Sequence, residues 1–146
     1  MSEIQICVDA IIFEENGLIM VKRNTEPFKG DYALPGGRVE EKETLKDAIV
    51  REVKEETGLD VNPFAMLGVY DDVNRDPRGR IISVVFLCRP LDVIKQEDFK
   101  FDKNEISEVV VLPLKELVEG KHKIAYDHAR MIKSYNTILQ LGKKQQ

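Results

Sequence analysis

The chain has little sulfur, little imidazole, no long apolar run and no surplus of positive charge. It carries two cysteines and two histidines in 146 residues. Cys7 and Cys88 lie far apart in apolar stretches, form no CxxC pair and read as small core residues. His122 and His128 do not make a metal-ligand pair. No apolar run exceeds a few residues, which excludes a membrane-spanning helix. The 22 Lys+Arg are outnumbered by 26 Asp+Glu, giving a net charge of -4 and no basic stripe. Duplex nucleic acid is therefore a poor partner. A negative protein that acts on phosphates needs a bridging cation. The opening MSEIQICVDA is acidic and alternating, unlike a signal peptide, so a cytoplasmic location is expected.

What the chain does have suffices for one core. Hydrophobic residues make up 42% and charged residues 33%. A chain of this length buries about 70% of its unfolded surface, so neither disulfide nor structural metal is required. One domain over residues 1–146 is expected. Alternation at Ile4, Ile6 and Val8, then an apolar stretch from Ala10 to Phe13, predicts a strand. Glu15-Asn16-Gly17 reads as a hairpin turn into a second strand, Leu18 to Val21. Residues 23–38 are punctuated by Pro and Gly and read as loop. A helix is expected from about Thr44 to Thr57, closed by Gly58. Further strands are expected at Met66 to Tyr70, Ile81 to Cys88 and Val109 to Leu112. Asp76-Pro77-Arg78-Gly79 is a β-turn tetrapeptide, and Leu114 to Val118 reads as a helical turn. A helical pattern runs from Ala125 to Leu141, followed by a frayed GKKQQ tail. This order of strands and helices argues an α/β or α+β domain with a mixed sheet between helices.

The first long helix is unusual in where its acids fall. With about 100° per residue and Leu45 at zero, Ala48, Ile49 and Val53 fall near 300°, 40° and 80°. Glu52, Glu55 and Glu56 fall near 340°, 280° and 20° on the same wheel. The three carboxylates thus continue the apolar stripe instead of the solvent face. Acids at i, i+3 and i+4 repel one another, and partial burial adds to the cost. A divalent cation with oxygen ligands, Mg²⁺ or Mn²⁺, relieves both. Arg51 is placed to reach Glu55 at i+4.

The same segment carries a family signature. Gly37, Glu43, Arg51-Glu52-Val53, Glu55-Glu56 and Gly58-Leu59 fill nine specified positions over 23 residues. The pattern resembles the Nudix box, G-x5-E-x7-R-E-U-x-E-E-x-G-U with U aliphatic, and strands before and after it fit the family layout. The resemblance implies a Nudix fold: an α/β/α sandwich with a mixed β-sheet. It implies hydrolysis of a diphosphate linkage in a nucleoside diphosphate joined to another group, with divalent ions bridging the phosphate oxygens. It implies Glu52, Glu55 and Glu56 as metal ligands, Gly36 as a backbone ligand and Arg51 as the arginine that orients a glutamate. Glu43 matches the first acid of the box, either bracing the loop or serving as a plain first-turn acid favoured by the helix dipole. The family's general base varies. Here Glu105 fits best, with Glu108 second and Glu52 an alternative.

Two segments bear on the substrate. Tyr32 either stacks on a base or packs on a sheet edge. Arg75 and Arg78 are paired guanidinium groups in one loop, suited to a terminal ribose or phosphate. With Pro77 and Ala125-Tyr126-Asp127-His128-Ala129, they resemble the compact ADP-ribose pyrophosphatases of the family. In that reading Tyr32 or Tyr126 offers an aromatic face to adenine, and the products are AMP and ribose 5-phosphate. The extra N-terminal domain of the larger enzymes is not expected, and a homodimer is the expected assembly. Competing readings are a hydrolase of oxidised or non-standard nucleoside triphosphates and a non-catalytic Nudix-fold ligand sensor.

Overall fold

The structure, a computed structural model, describes residues 3–144. Its first hairpin joins β1 (Gln5–Glu14) to β2 (Gly17–Arg23). Gly17 has φ of 151°, and a Cβ there would strike the Leu112 carbonyl. β1 and β2 pair only near the turn, at Phe13↔Leu18 and Glu14↔Gly17. Beyond it they diverge. β1 takes β6 (Ile81–Pro90) as a parallel partner and β4 (Gly36–Arg38) as an antiparallel one. β2 takes β3 (Tyr32–Ala33) and β7 (Ile106–Leu112). A cleft opens in the fork between the two strands.

β5 (Val61–Tyr70) closes the order β3-β2-β1-β6-β5 as an edge. It is longer than the sequence suggests because Pro63 lies within it. An edge strand tolerates proline, and the register shifts between Pro63 and Ala65. β3 and β4 lie in residues 23–38, expected as loop, because Pro27, Gly30, Pro35 and the Gly36-Gly37 pair mask such short strands. A Cβ at Gly36 would clash with the Val8 carbonyl and the Asp9 side chain, so the close approach to β1 requires glycine.

Both faces of the sheet are covered. Val8, Ala10 and Ile12 of β1 face α1 (Leu45–Thr57), which buries Ala48, Ile49 and Val53 among them. Burying Ile49 and Val53 contributes roughly 1.5–3 kcal/mol each. Ile11 faces the other way, onto Met131, Ile132 and Tyr135 of α3 (His128–Lys144), with Leu117 of α2 (Leu114–Val118) beside them. The expected α/β/α sandwich with a mixed sheet is the observed fold. Ile4 and Ile6 are exposed, so the first turns of the alternation do not mark a buried face. α3 starts three residues later than its periodicity suggests. Ala125 donates its N–H to the Tyr32 carbonyl at 2.8 Å, which draws residues 124–125 onto β3 before the helix begins. Residues 142–144 of the expected frayed tail continue α3, and the last two residues lie outside the described range. No helix among the described residues is long and apolar enough to cross a membrane.

Candidate active site

The box helix is fixed at both ends. Thr44 Oγ1 accepts the Asp47 N–H at 3.1 Å, and Gly58 closes the helix in the left-handed region with φ of 81°. Between these caps the glutamates divide. Glu56 is partly buried, and its Oε1 accepts the Gly36 N–H at 2.8 Å. Glu52, with a side chain 14% exposed, lies against Gly37, where a Cβ would overlap its carboxylate. Glu55 differs from the expectation, being 58% exposed at the rim. At about 280° it sits at the edge of the stripe, where the sheet no longer covers the helix. Among the described residues no three acidic, histidine or cysteine side chains converge as a ready metal cage.

The electrostatics follow from this placement. Burial pushes the Glu56 carboxyl from 4.5 up to about 8, with Glu52 and Asp9 adding to the shift. Burial also raises Glu52, against the pull of Arg51. Arg51 reaches Glu55 at 3.4 Å, as the i+4 spacing suggests, but its shorter contacts lie elsewhere. It binds both oxygens of Glu43 at 2.6 and 2.9 Å, Glu52 Oε1 at 2.8 Å and the Arg38 carbonyl at 3.0 Å. Glu43 also accepts the Glu40 N–H at 2.8 Å, so it braces the loop ahead of the helix. Its hydrogen bonds from Arg51 hold its carboxyl down at about 2.

The cleft beside Glu56 measures about 240 Å³. Its walls include Arg23, Arg38, Arg78 and Tyr126, with Asp9 and His128 at its floor. A larger hollow of about 420 Å³ lies at the C-terminal end of α1. There Asp60, Asp92 and Asp98, only partly offset by Lys54 and Lys100, and the helix carbonyl end oppose an anionic ligand. The charge pattern therefore favours the smaller cleft for phosphate chemistry.

Arg75 and Arg78 are not the free pair expected. Arg75 is buried and gives Asp127 three hydrogen bonds of 2.9 to 3.2 Å, with a fourth to the Ile81 carbonyl at 3.2 Å. Burying its charge demands this full set of partners. Arg78 is more open, donating to Asp76 at 2.7 and 3.0 Å. Burial works against the ionisation of Asp76, and the Arg78 contacts outweigh it, so that carboxyl lies below its ordinary value.

The tyrosines also depart from the expected stacking. Tyr32 packs on the sheet edge, with its hydroxyl 3.4 Å from Glu108 and the His122 ring edge-on at 5.8 Å. Tyr32 is not part of the cleft lining. The Tyr126 ring is already occupied: Phe28 and His128 pack at 4.7 and 5.2 Å, and the Arg23 and Arg78 guanidinium groups lie 5.3 and 5.4 Å away. Glu105 is exposed, and the cleft lining does not include it. Its carbonyl accepts the Asn24 N–H at 2.9 Å, which holds the turn beside β2.

One group escaped the sequence reading. Asp9, only 5% exposed in the middle of β1, points to the α3 side. Ser83 donates its hydroxyl to Asp9 Oδ2, and His128 Nε2 lies 3.4 Å from Oδ1. His128 Nδ1 accepts the Leu34 N–H at 3.0 Å, which places the ring proton on Nε2, facing Asp9. Burial alone would raise Asp9, but these contacts and the Arg75 charge hold it below its ordinary value. The available signal was a lone acid inside the apolar stretch ICVDAIIF.

Comparison with known proteins places the chain in a family. A family model of the NUDIX domain matches residues 3–135. An ADP-ribose pyrophosphatase of Methanocaldococcus jannaschii is 45% identical over 130 residues, covering 89% of this chain and 72% of that protein. The structure of an ADP-ribose pyrophosphatase from Streptococcus suis superposes with a TM-score of 0.70 at 28% identity, covering 89% of this chain and 87% of that one. A bifunctional NMN adenylyltransferase/ADP ribose pyrophosphatase from Francisella tularensis, complexed with AMP and a manganese ion, gives a TM-score of 0.72 at 28% identity. That match covers 97% of this chain and 42% of the other. On the matched domain, the box geometry and the shared fold, the chain belongs to the Nudix hydrolase family.

Proposed function

We propose that this protein hydrolyses the diphosphate of ADP-ribose, giving AMP and ribose 5-phosphate. The observation that carries the reading is the meeting of Glu52 and Glu56 with Gly36 and Gly37 beside a cleft walled by Arg23, Arg38 and Arg78. The printed activity of the M. jannaschii relative supports the choice of substrate.

The donor set fits a divalent cation. Glu56 is a partly buried carboxylate whose one hydrogen bond among the described residues is from a backbone N–H, and hard carboxylate oxygens suit Mg²⁺, with Mn²⁺ as a substitute. Glu56 and the Gly36 backbone would hold it, with Glu55 at the rim and Glu52 beside them. When bound, such an ion neutralises diphosphate charge and lowers the pKa of water. The chain's own residues do the rest. Arg51 fixes Glu52 through Oε1, which leaves Oε2 to accept the proton of the attacking water. Arg78 and Arg23 receive the anionic diphosphate, and Asp76 keeps the Arg78 fork in plane.

Two copies pairing is consistent with the edge strand β5, which exposes Phe64, Met66 and Val69; light scattering reads this directly. The two free, buried cysteines suit a reducing compartment such as the cytoplasm. The test of function is a product analysis across ADP-ribose, dinucleoside polyphosphates and nucleoside triphosphates with Mg²⁺. The expected result is AMP release from ADP-ribose at the highest kcat/KM, lost in excess EDTA and regained with Mg²⁺ or Mn²⁺. A triphosphate preferred by about tenfold overturns the substrate, and full turnover in EDTA overturns the cation.

A further inference from the structure

Tyr126 Oη is buried and has no hydrogen-bond partner among the described residues. A phenylalanine at this position would make every contact the ring makes, with Phe28, His128, Arg23 and Arg78. The hydroxyl therefore adds nothing to packing, and an unpaired buried hydroxyl costs stability. The backbone is arranged in its favour nonetheless. Tyr126 sits in the left-handed region with φ of 53°, between the segment bridged to β3 and the start of α3. Phe28, its ring partner, is also left-handed, with φ of 62°. Strained non-glycine residues of this kind persist where the surroundings fix them, and they cluster at ligand sites.

We infer that the Tyr126 hydroxyl is a substrate-binding donor, recognising a phosphoryl oxygen of the diphosphate through a hydrogen bond made only in the complex, when the flanking Arg23 and Arg78 side chains turn to the ligand and uncover it. Two guanidinium groups flank the ring and bias the space around it toward an anion. Burial raises the phenol above its ordinary value, so it stays protonated and donates. This deepens the proposed function and rests on it for the identity of the substrate, though the diphosphate contact does not depend on that identity. It also replaces the expected role of the ring as a stacking face.

Tyr126→Phe removes one oxygen and tests the inference. Melting temperature, the Kd for inorganic pyrophosphate with Mg²⁺, and inhibition by adenosine are measured for both proteins, with KM and kcat on ADP-ribose. The variant melts at or above the wild-type temperature. Its pyrophosphate Kd and its KM rise about tenfold, kcat changes less than KM, and adenosine binds as before. An unchanged pyrophosphate Kd overturns the inference, as does an equal loss of adenosine affinity. A wild-type protein that binds no pyrophosphate overturns it too. If ADP-ribose is not turned over but pyrophosphate binding falls in the variant, the substrate reading fails and the hydroxyl assignment stands.

Discussion

Two carboxylates sit near one another at the cleft, and their surroundings differ. Asp9 comes from β1 with a serine hydroxyl, an imidazole N–H and a nearby guanidinium, and it is held below its ordinary value. Glu56 comes from α1 with one backbone N–H, and burial pushes it up to about 8. A covered acid that has its full set of partners organises the fold around itself. Asp9 does so by orienting His128, which in turn holds the Leu34 N–H and the strap leading to Gly36. A covered acid without such partners is kept at a cost to stability, and costs of this kind concentrate where ligands bind. The contrast separates scaffold from site more sharply than burial does.

The largest effect expected from breaking this contrast is at Glu56. Glu56→Gln keeps an oxygen for the Gly36 N–H and removes the charge. Activity should fall by about 10³-fold, beyond the 10- to 100-fold typical of groups that only support a metal ligand. Stability should move the other way. Because Glu56 titrates near 8 when folded against 4.5 ordinarily, its neutral form favours the folded state below pH 4.5. That contribution is lost as pH rises through about 8. Without cations, the wild-type melting temperature should fall relative to Glu56→Gln between those limits, by an amount equivalent to a few kcal/mol. Mg²⁺ at pH 8 should restore the wild type and not the variant. Identical melting profiles with and without the substitution would remove the distinction between Glu56 and Asp9.

The partnered side of the comparison is tested at Arg75. Arg75→Met leaves Asp127 buried with its charge uncompensated, and denaturant unfolding should show a loss of about 3–5 kcal/mol. A loss below about 1 kcal/mol would mean that the pair is open to solvent and that Arg75 is free to serve the substrate after all.

The box helix was legible because its information is local. Periodicity placed Ala48, Ile49 and Val53 inward, Gly58 closed the helix, and the angles of Glu52 and Glu56 put them beside the core. The same angles placed Glu55 too far inward, since a helical wheel does not say where the sheet ends. The scaffold around Asp9 was not legible because its partners are distant in the chain. Ser83 is 74 positions away, His128 and Leu34 are separated by 94, and Arg75 and Asp127 by 52. Two arginines in a polar loop read as free donors until the fold supplies Asp127 to one and turns Asp76 toward the other. Tyr126 does line the cleft, but a ring's neighbours are set by tertiary contacts, so the sequence could not separate its face from its hydroxyl.

The smallest effect is expected at Glu105, where local spacing and the fold disagree. The spacing before β7 makes it the best candidate for a base outside the box. In the folded chain its N–H donates to the Asp102 carbonyl at 3.0 Å and its carbonyl takes the Asn24 N–H, so the turn is held at the C-terminal end of β2. Asn24 follows Arg23, a cleft residue, which puts Glu105 near the mouth without making it part of the wall. A general base must lie within hydrogen-bond reach of the water it activates, and Glu52 lies directly against Gly37 at the start of the box. Glu105→Gln should therefore lower kcat/KM less than about threefold and leave the acid limb of the pH–rate profile in place, whereas Glu52→Gln should abolish that limb. A loss of about 10²-fold at Glu105 together with its acid limb would move the base to the β7 turn. The turn would then have to swing inward when substrate binds, and the Asn24 and Asp102 contacts would be the ones that open.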